Sequence, residues 1–356
     1  MELEFKSDFQ RTADRWEAFW RGENRGPQVA AVVSRPGVEI VEKPPYASGW
    51  DGNFAPVIEQ LLRWGASHEF LGDAIPFYYA EFTADHSAVL MGAGLEYEPD
   101  GHGNGWTVPV IKDIRDADIR VRRDTVWYER TARFFSELRK ACDGRILIAA
   151  PTLSGGLDNL ASLRGSEALL MDLIEHPDDV KRALEQVDRC FKELLEEFSR
   201  LLDFPRWGSI NRHGMYSRGR VAIPQCDFSC MISTEMYREF ELPCLEREMA
   251  MLDAVEYHLD GPGAIRHLEA LCSLERLGIV QWVPGSGWGE QQDWSWLYRR
   301  IDELGKGQIR GGSVESARRM WGEYRSRKLF VTVHGAPGDD LRGAVEELQD
   351  APKAER

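Results

Sequence analysis

Apolar residues along this chain follow two rhythms. Over 7–25, Trp16 lies seven positions after Phe9, and Phe19 and Trp20 lie three and four after Trp16, which lines them along one side of a helix. From residue 146 onward, short β-branched and apolar runs alternate with longer helical patterns. The candidate strands are 146–150, 207–211, 255–259, 279–283 and 329–334. Between them, His176-Pro177-Asp178-Asp179 opens a helix that continues through Leu195. Its proline pre-sets the first turn and its acids complement the free N–H groups there. Ser233-Thr234-Glu235 opens another, running through Tyr237, Phe240, Leu245 and Met249. Region 37–53, with Pro44, Pro45, Gly49 and Gly52, reads as a loop.

Strands separated by helices of this length predict βα units and a parallel sheet. No repeat or long linker interrupts the chain, so 1–356 reads as one domain, with 1–60 as an N-terminal helical and loop extension. The pattern alone fits either a closed (β/α)8 barrel or an open doubly wound sheet. No G-x-G-x-x-G opens a helix after a strand, no G-x-x-x-x-G-K-[ST] occurs, and no G-x-S-x-G elbow is present. Dinucleotide, P-loop and serine-esterase readings therefore have no anchor.

Composition narrows the field further. At 43% hydrophobic and 29% charged, the chain is ordinary for a globular protein. A net charge of −15 argues against nucleic acid as a partner, which would need a clustered basic surface. No apolar run approaches the roughly 20 residues a membrane span requires. The N-terminus lacks the basic and apolar regions of a secretory signal, so a cytoplasmic location is expected. The six cysteines are scattered, and reduced thiols are expected.

The reactive side chains stand where strands give way to loops. Three segments share this form: Ser209-Ile-Asn211-Arg212-His213-Gly214, Val255-Glu-Tyr-His258-Leu-Asp260-Gly261, and Phe330-Val-Thr-Val-His334-Gly335-Ala-Pro-Gly338. In (β/α)8 enzymes the catalytic groups occupy these C-terminal mouths, because the following loops open on one face. His258 and Asp260, two apart on an extended chain, point to the same side. They could share a metal or act as an acid/base couple; equally, Asp260 could cap the next helix and His258 bond within the sheet.

His334 would lie across a closed barrel's mouth from them as a third ligand, or simply order its loop. Pro224-Gln225-Cys226-Asp227-Phe228 is the other dense segment. Cys226 is a candidate metal ligand and Asp227 a candidate proton donor, while Cys230 reads as a small buried hydrophobe. Asp227, His213 and Asp260 are the expected catalytic groups. Arg212, with Asn211, would hold an anionic substrate group, and Trp282, ending a strand, could stack on substrate. Most of the tryptophans, Trp288 included, read as filling. His176 reads as a helix-start residue, His267 as solvated on a helix face, and His86 as a residue bordering the pocket.

These segments resemble the uroporphyrinogen decarboxylase superfamily. The resemblance rests on Pro151-Thr-Leu-Ser-Gly155, Asp172-Leu-Ile-Glu-His-Pro-Asp-Asp-Val180, Ile232-Ser-Thr-Glu-Met-Tyr-Arg-Glu-Phe240 with Pro243, His258-Leu-Asp-Gly261, and the final strand with His334-Gly335. It covers about the C-terminal two-thirds and implies a single (β/α)8 TIM barrel. The Arg-Gln-Ala-Gly-Arg-type segment of the true decarboxylases has no match; Val33-Ser-Arg-Pro36 lacks the pattern.

The corrinoid-linked methyltransferase branch is nearer. It holds zinc through His-x-Cys and a later Cys, where this chain has His258-Leu-Asp260 and His334. The resemblance thus implies a methyltransferase with zinc or another divalent metal on His258, Asp260, His334 and Cys226. Such an enzyme moves a methyl group between a small molecule and a corrinoid carried by a partner protein. A metal-independent decarboxylase or lyase acting on a different small carboxylic acid is the alternative, followed by a ligand-binding barrel without turnover. Pairing into a homodimer stays open.

Overall fold

The computed structural model describes residues 2–97, 105–285, 292–334 and 340–353. Its strands in chain order are β1 (Gln28–Ser34), β2 (His68–Gly72), β3 (Phe77–Tyr79), β4 (Gly94–Tyr97), β5 (Gly105–Val108), β6 (Leu147–Ala149), β7 (Ser209–Ile210), β8 (Tyr216–Ser217), β9 (Val221–Ala222), β10 (Ala254–Asp260), β11 (Ile279–Val283), β12 (Gly307–Gly312) and β13 (Leu329–Val333). The main sheet has seven strands in the order β2-β1-β13-β12-β11-β10-β9, all parallel except β2, which pairs antiparallel with β1. A parallel β3–β6 pair and the β4–β5 and β7–β8 hairpins complete the set.

The fold is therefore α/β with a mostly parallel central sheet. The closed eight-stranded ring is not traced by backbone pairing: among the described residues no ladder joins β3–β6 or β7–β8 to the main sheet. Side-chain packing draws the separate pieces together. Ala30, Phe77, Tyr79, Leu147, Ala149, Ile210, Ile279, Ile309 and Phe330, from seven of the strands, pack in one cluster. Phe77 with Tyr79 and Leu147 with Ala149 are two apart, so each pair projects from one face of its strand.

The N-terminal helix Phe9–Arg21 fills this cluster with Phe9, Ala13, Trp16 and Phe19, its predicted apolar side. Trp16 meets Phe330 edge-on at 5.0 Å, and its Nε1 donates to the Asp73 carbonyl at 3.1 Å. A second, larger cluster lies outside the sheet against the helices. There Pro177–Leu201 buries Val180, Leu184, Val187, Phe191, Leu194, Leu195 and Phe198 at helical spacing. No helix among the described residues is long and apolar enough to cross a membrane.

Several sequence expectations are adjusted. The strand at 279–283 matches β11 residue for residue, while the helix expected to Leu195 reaches Leu201. The 1–60 stretch supplies more than an extension, since β1 sits inside the main ladder between β2 and β13. β12 is half glycine in sequence, and pattern reading passes over it. The helix after Ser233 holds a π-type turn at Tyr237–Glu241 before Leu242–Ala250. Pro243 explains it, having no N–H to continue the ladder.

Two buried carboxyls lie under the helix Gly156–Arg164. Glu241 accepts from Leu157 N–H at 2.7 Å and Glu248 from Gly155 N–H at 3.1 Å, which satisfies free donors at that helix start. Burial pushes Glu241 up to about 8. The folded chain holds this proton more tightly than the unfolded one, so the stability it contributes is complete below about 4.5 and is lost as pH rises through about 8.

Two outcomes are expected from unfolding experiments. Glu241→Gln should flatten the loss of stability between about pH 5 and about pH 9, on the order of a few kcal/mol, read as melting temperature against pH. Trp16→Ala should cost about 3–5 kcal/mol in urea unfolding, because it empties the cluster and removes an indole bond; a change near zero would mean that this helix does not hold the interior together.

Candidate metal centre

Strand β10 sets the site. Its alternation sends Val255, Tyr257 and Leu259 into the helix-facing core and leaves Glu256, His258 and Asp260 on the other face. Glu256 is fully buried, and its carboxylate accepts from Asn211 Nδ2 at 2.8 Å and meets His213 Nδ1 at 2.7 Å. Asn211 Oδ1 in turn accepts from the N–H groups of His213 and Met215, at 3.1 and 3.0 Å. Gly214 takes the left-handed conformation that this turn requires, φ +80°. One buried acid thus fixes both side chains that follow β7.

Two residues further along β10, His258 Nδ1 contacts Gln281 Oε1, its register partner on β11. That contact places the proton on Nδ1 and leaves the Nε2 lone pair for a metal or a proton. Burial holds the imidazole below its ordinary range, and the nearby Arg212 charge adds to the effect. Asp260, at the strand end, keeps Oδ1 buried with no hydrogen-bond partner.

The third member, Asp227, comes from a loop beside β10, where Gln225 bridges to His258 and the His258 N–H donates to Pro224 O at 3.1 Å. Asp158, 92% buried, accepts from the N–H groups of Asp227 and Phe228 at 2.9 and 2.8 Å and so pins the loop. Asp227, His258 and Asp260 each bring one ligand atom to within 4.8 Å of the others. Asp227 is exposed at the cleft, yet partial desolvation by its surroundings, then the Asp260 charge, pushes it up to about 6, against the pull of Arg212. Asp158 is also raised to about 6, by burial first and then by Asp227.

Arg212 donates to Thr152 Oγ1 at 3.0 Å and to Gln225 Oε1 at 3.1 Å, and Tyr79 OH bonds Thr152 at 2.6 Å. On the far side, a cleft of about 450 Å3 opens beside Asp227, with Asp85 and Asp158 in its walls and no Lys, Arg or His among the described residues.

Of the residues expected from sequence, Asp227, His258 and Asp260 come together, and Arg212 lies close enough to act on the first two. Asn211 and His213 stand alongside on Glu256. Asp227, a proton donor in the sequence reading, stands instead with two of the expected ligands; the other two, Cys226 and His334, lie elsewhere. Cys226 is buried with its thiol beside the Glu241 carboxyl, and burial raises it well above the usual thiol range. Adjacent residues on an extended chain diverge, so bringing Asp227 to the cleft sends Cys226 into the core.

His334 is exposed at the end of β13, with its N–H on Gly312 O, and is not in the group of three; Gly335 and the residues after it to Gly338 lie outside the described residues, as does Trp288. Trp282 pairs with Leu259, on the face opposite His258, and packs against Trp294 at 4.9 Å instead of facing the cleft.

Three further expectations are corrected. His267 is buried, bonded to Ser229 O at 2.9 Å and stacked on Tyr237 at 4.3 Å. His86 is a core residue that accepts from Phe82 N–H and bonds Thr131, and burial lowers it to about 3. Cys230 is exposed. Pattern reading missed Asp158, Gln281 and Glu256. Only Glu256 left a signal, a charge inside a β run on the same parity as His258 and Asp260.

No protein-family model matches the chain, and no curated protein does either. A solved structure of a methyltransferase from Methanosarcina mazei is similar, with a TM-score of 0.56 over 95% of this chain and 98% of that one, at 13% sequence identity. The likeness is one of fold.

Proposed function

We propose that the chain is a metal-dependent methyltransferase on a closed (β/α)8 barrel, with Asp227, His258 and Asp260 as ligands of one divalent ion. The observation that carries this reading is the convergence of the three at the C-terminal end of β10, with a buried Asp260 oxygen that has no partner. An unpaired buried carboxylate oxygen is costly unless a cation meets it. The fold likeness to a methyltransferase and the shared cluster of inward side chains support the barrel.

One imidazole and two carboxylates fit zinc or a harder divalent ion, and no thiolate takes part. When bound, the metal supplies Lewis acidity that lowers the pKa of an acceptor group. The chain's own residues bind and orient. Gln281 holds the His258 ring, Asp158 holds the Asp227 loop, and Arg212, steadied by Thr152 and Gln225, offers its guanidinium to an anionic group of the substrate. His213, set by Glu256, stands ready to move a proton. The methyl group would arrive on a partner-borne corrinoid, since the chain shows no corrinoid-binding motif of its own.

One observation favours a second reading, a metal-independent decarboxylase or lyase. Asp227, raised to about 6 beside Arg212, could donate a proton to a carbanion while Arg212 holds a carboxylate.

Metal analysis of the purified chain separates the two. About one divalent ion per chain is expected, with His258→Ala and Asp260→Asn abolishing it and Gln281→Leu weakening it about 10–100-fold. Chelation should stop methyl transfer from methylcobalamin and restoring the ion should bring it back. A metal-free protein that decarboxylates at full rate, and loses that rate in Asp227→Asn, sinks the methyltransferase reading.

A further inference from the structure

A second cavity, of about 190 Å3, lies near the N-terminal end of β1. Gly72, in its wall, pairs with Ala30 near the start of β1, whereas Asp260 ends the parallel strand β10. The two places are therefore at opposite ends of the sheet, roughly 20 Å apart at the rise of an extended strand. The cavity walls carry Lys6, Arg11, Thr12, Arg15, Arg342 and Gln349, with Asp8 and Glu346 as the acids. In a chain of net charge −15, the lining gathers four cations with two carboxylates, and Asp73 and Glu69 just outside it each pair with one of the four.

Some of these cations are already engaged. Lys6 Nζ reaches Phe70 O, Gly72 O and Asp8 at 2.9, 2.8 and 3.0 Å, and Arg15 holds Asp73 at 2.7 Å. Arg342 pairs with Glu69, which leaves part of its five-donor fork unused. Arg11 has no acidic partner among the described residues. Thr12 and Gln349 are 1% and 3% exposed and line the cavity, and neither side chain has a hydrogen-bond partner among the described residues. Their hydroxyl and amide open on the cavity, where a bound group or water can bond them.

The helix Phe9–Arg21 also starts here. Its N-cap residue Asp8 makes no side-chain cap, and the N–H groups of Gln10 and Arg11 find no acceptor among the described residues. Donors thus converge on this space, beside the carboxylates of Asp8 and Glu346, at the positive end of a helix.

We propose that this cavity is a second ligand site, for a small oxyanion: a phosphate or carboxylate group. Such a group would accept from Arg11, Gln349, Thr12 and the helix start, and would tie the N-terminal helix to the C-terminal helix Leu341–Gln349. It is independent of the metal reading, which concerns the other end of the sheet.

Calorimetric titration and thermal melting of the full chain, with inorganic phosphate and with malonate as separate probes, test it. Saturable binding below about 1 mM for at least one probe, with a rise in melting temperature, is expected. Response to phosphate assigns a phosphoryl ligand, and response to malonate alone assigns a carboxylate. Arg11→Gln and Gln349→Leu should each weaken binding by about tenfold or more, whereas His258→Ala should leave it unchanged. Absence of binding by both probes up to about 10 mM, or an Arg11→Gln variant that titrates like the parent, overturns the proposal in favour of a cavity filled by water. Arg11 is exposed, so its variant decides the matter even where Gln349→Leu fails to fold.

Discussion

The two-residue period of β10 is the constraint from which the site follows. Because alternate side chains must share a face, burying Val255, Tyr257 and Leu259 against the helices commits Glu256, His258 and Asp260 together to the other side. Those three groups cannot stand unpartnered where they are sent. Glu256 is satisfied by Asn211 and His213, and His258 by Gln281. Asp260 is left with an unanswered oxygen. A one-residue slip in register would exchange the whole set for an apolar one, so the chemistry is written into the strand pairing itself.

Carboxyl groups gather around this strand. Asp260 raises Asp227, Asp227 raises Asp158, and Glu241 and Glu248 are buried beneath the helix that carries Asp158. Backbone N–H groups hold three of these acids in place: two donate to Asp158, and one each to Glu241 and Glu248. The acids are therefore structural first, capping a helix and pinning a loop. What they pin is Asp227, whose position decides whether His258 and Asp260 have a third partner. Stability and site geometry share the same hydrogen bonds.

Much of this was legible in the sequence because it rests on local periodicity. The spacing of His258 and Asp260, the acid at Asp227 before a helix, and the apolar side of the first helix are all short-range patterns. The losses have a common origin in pairing between distant segments. Which face Trp282 takes depends on its register against Leu259, and nothing in the run at 279–283 reveals that. Whether Cys226 or Asp227 enters the cleft depends on the Asp158 cap, 69 residues away in sequence. His267 lies between Arg266 and Leu268 like a solvated residue, yet Tyr237 stacks on it from another helix. Glycine-rich β12 is held by its two neighbours and not by its own propensity.

The electrostatics of the cleft are two-sided, and this limits what it can accommodate. Arg212, with the hydroxyls of Thr152 and Tyr79, lies on one side of the trio, while Asp85 and Asp158 line the other beyond Asp227. A divalent ion on one imidazole and two carboxylates is already neutralised, so an anionic group drawn to it would meet no net attraction from the ligand set alone. On the proposed reading Arg212 would supply the missing charge within a partly buried space, where it counts for more than in water. The acidic wall opposes a second negative group and tolerates a neutral or positive one. On the proposed reading, a substrate at the trio would be oriented by charge placement before shape, between Arg212, held by Thr152 and Gln225, and the acids beyond Asp227.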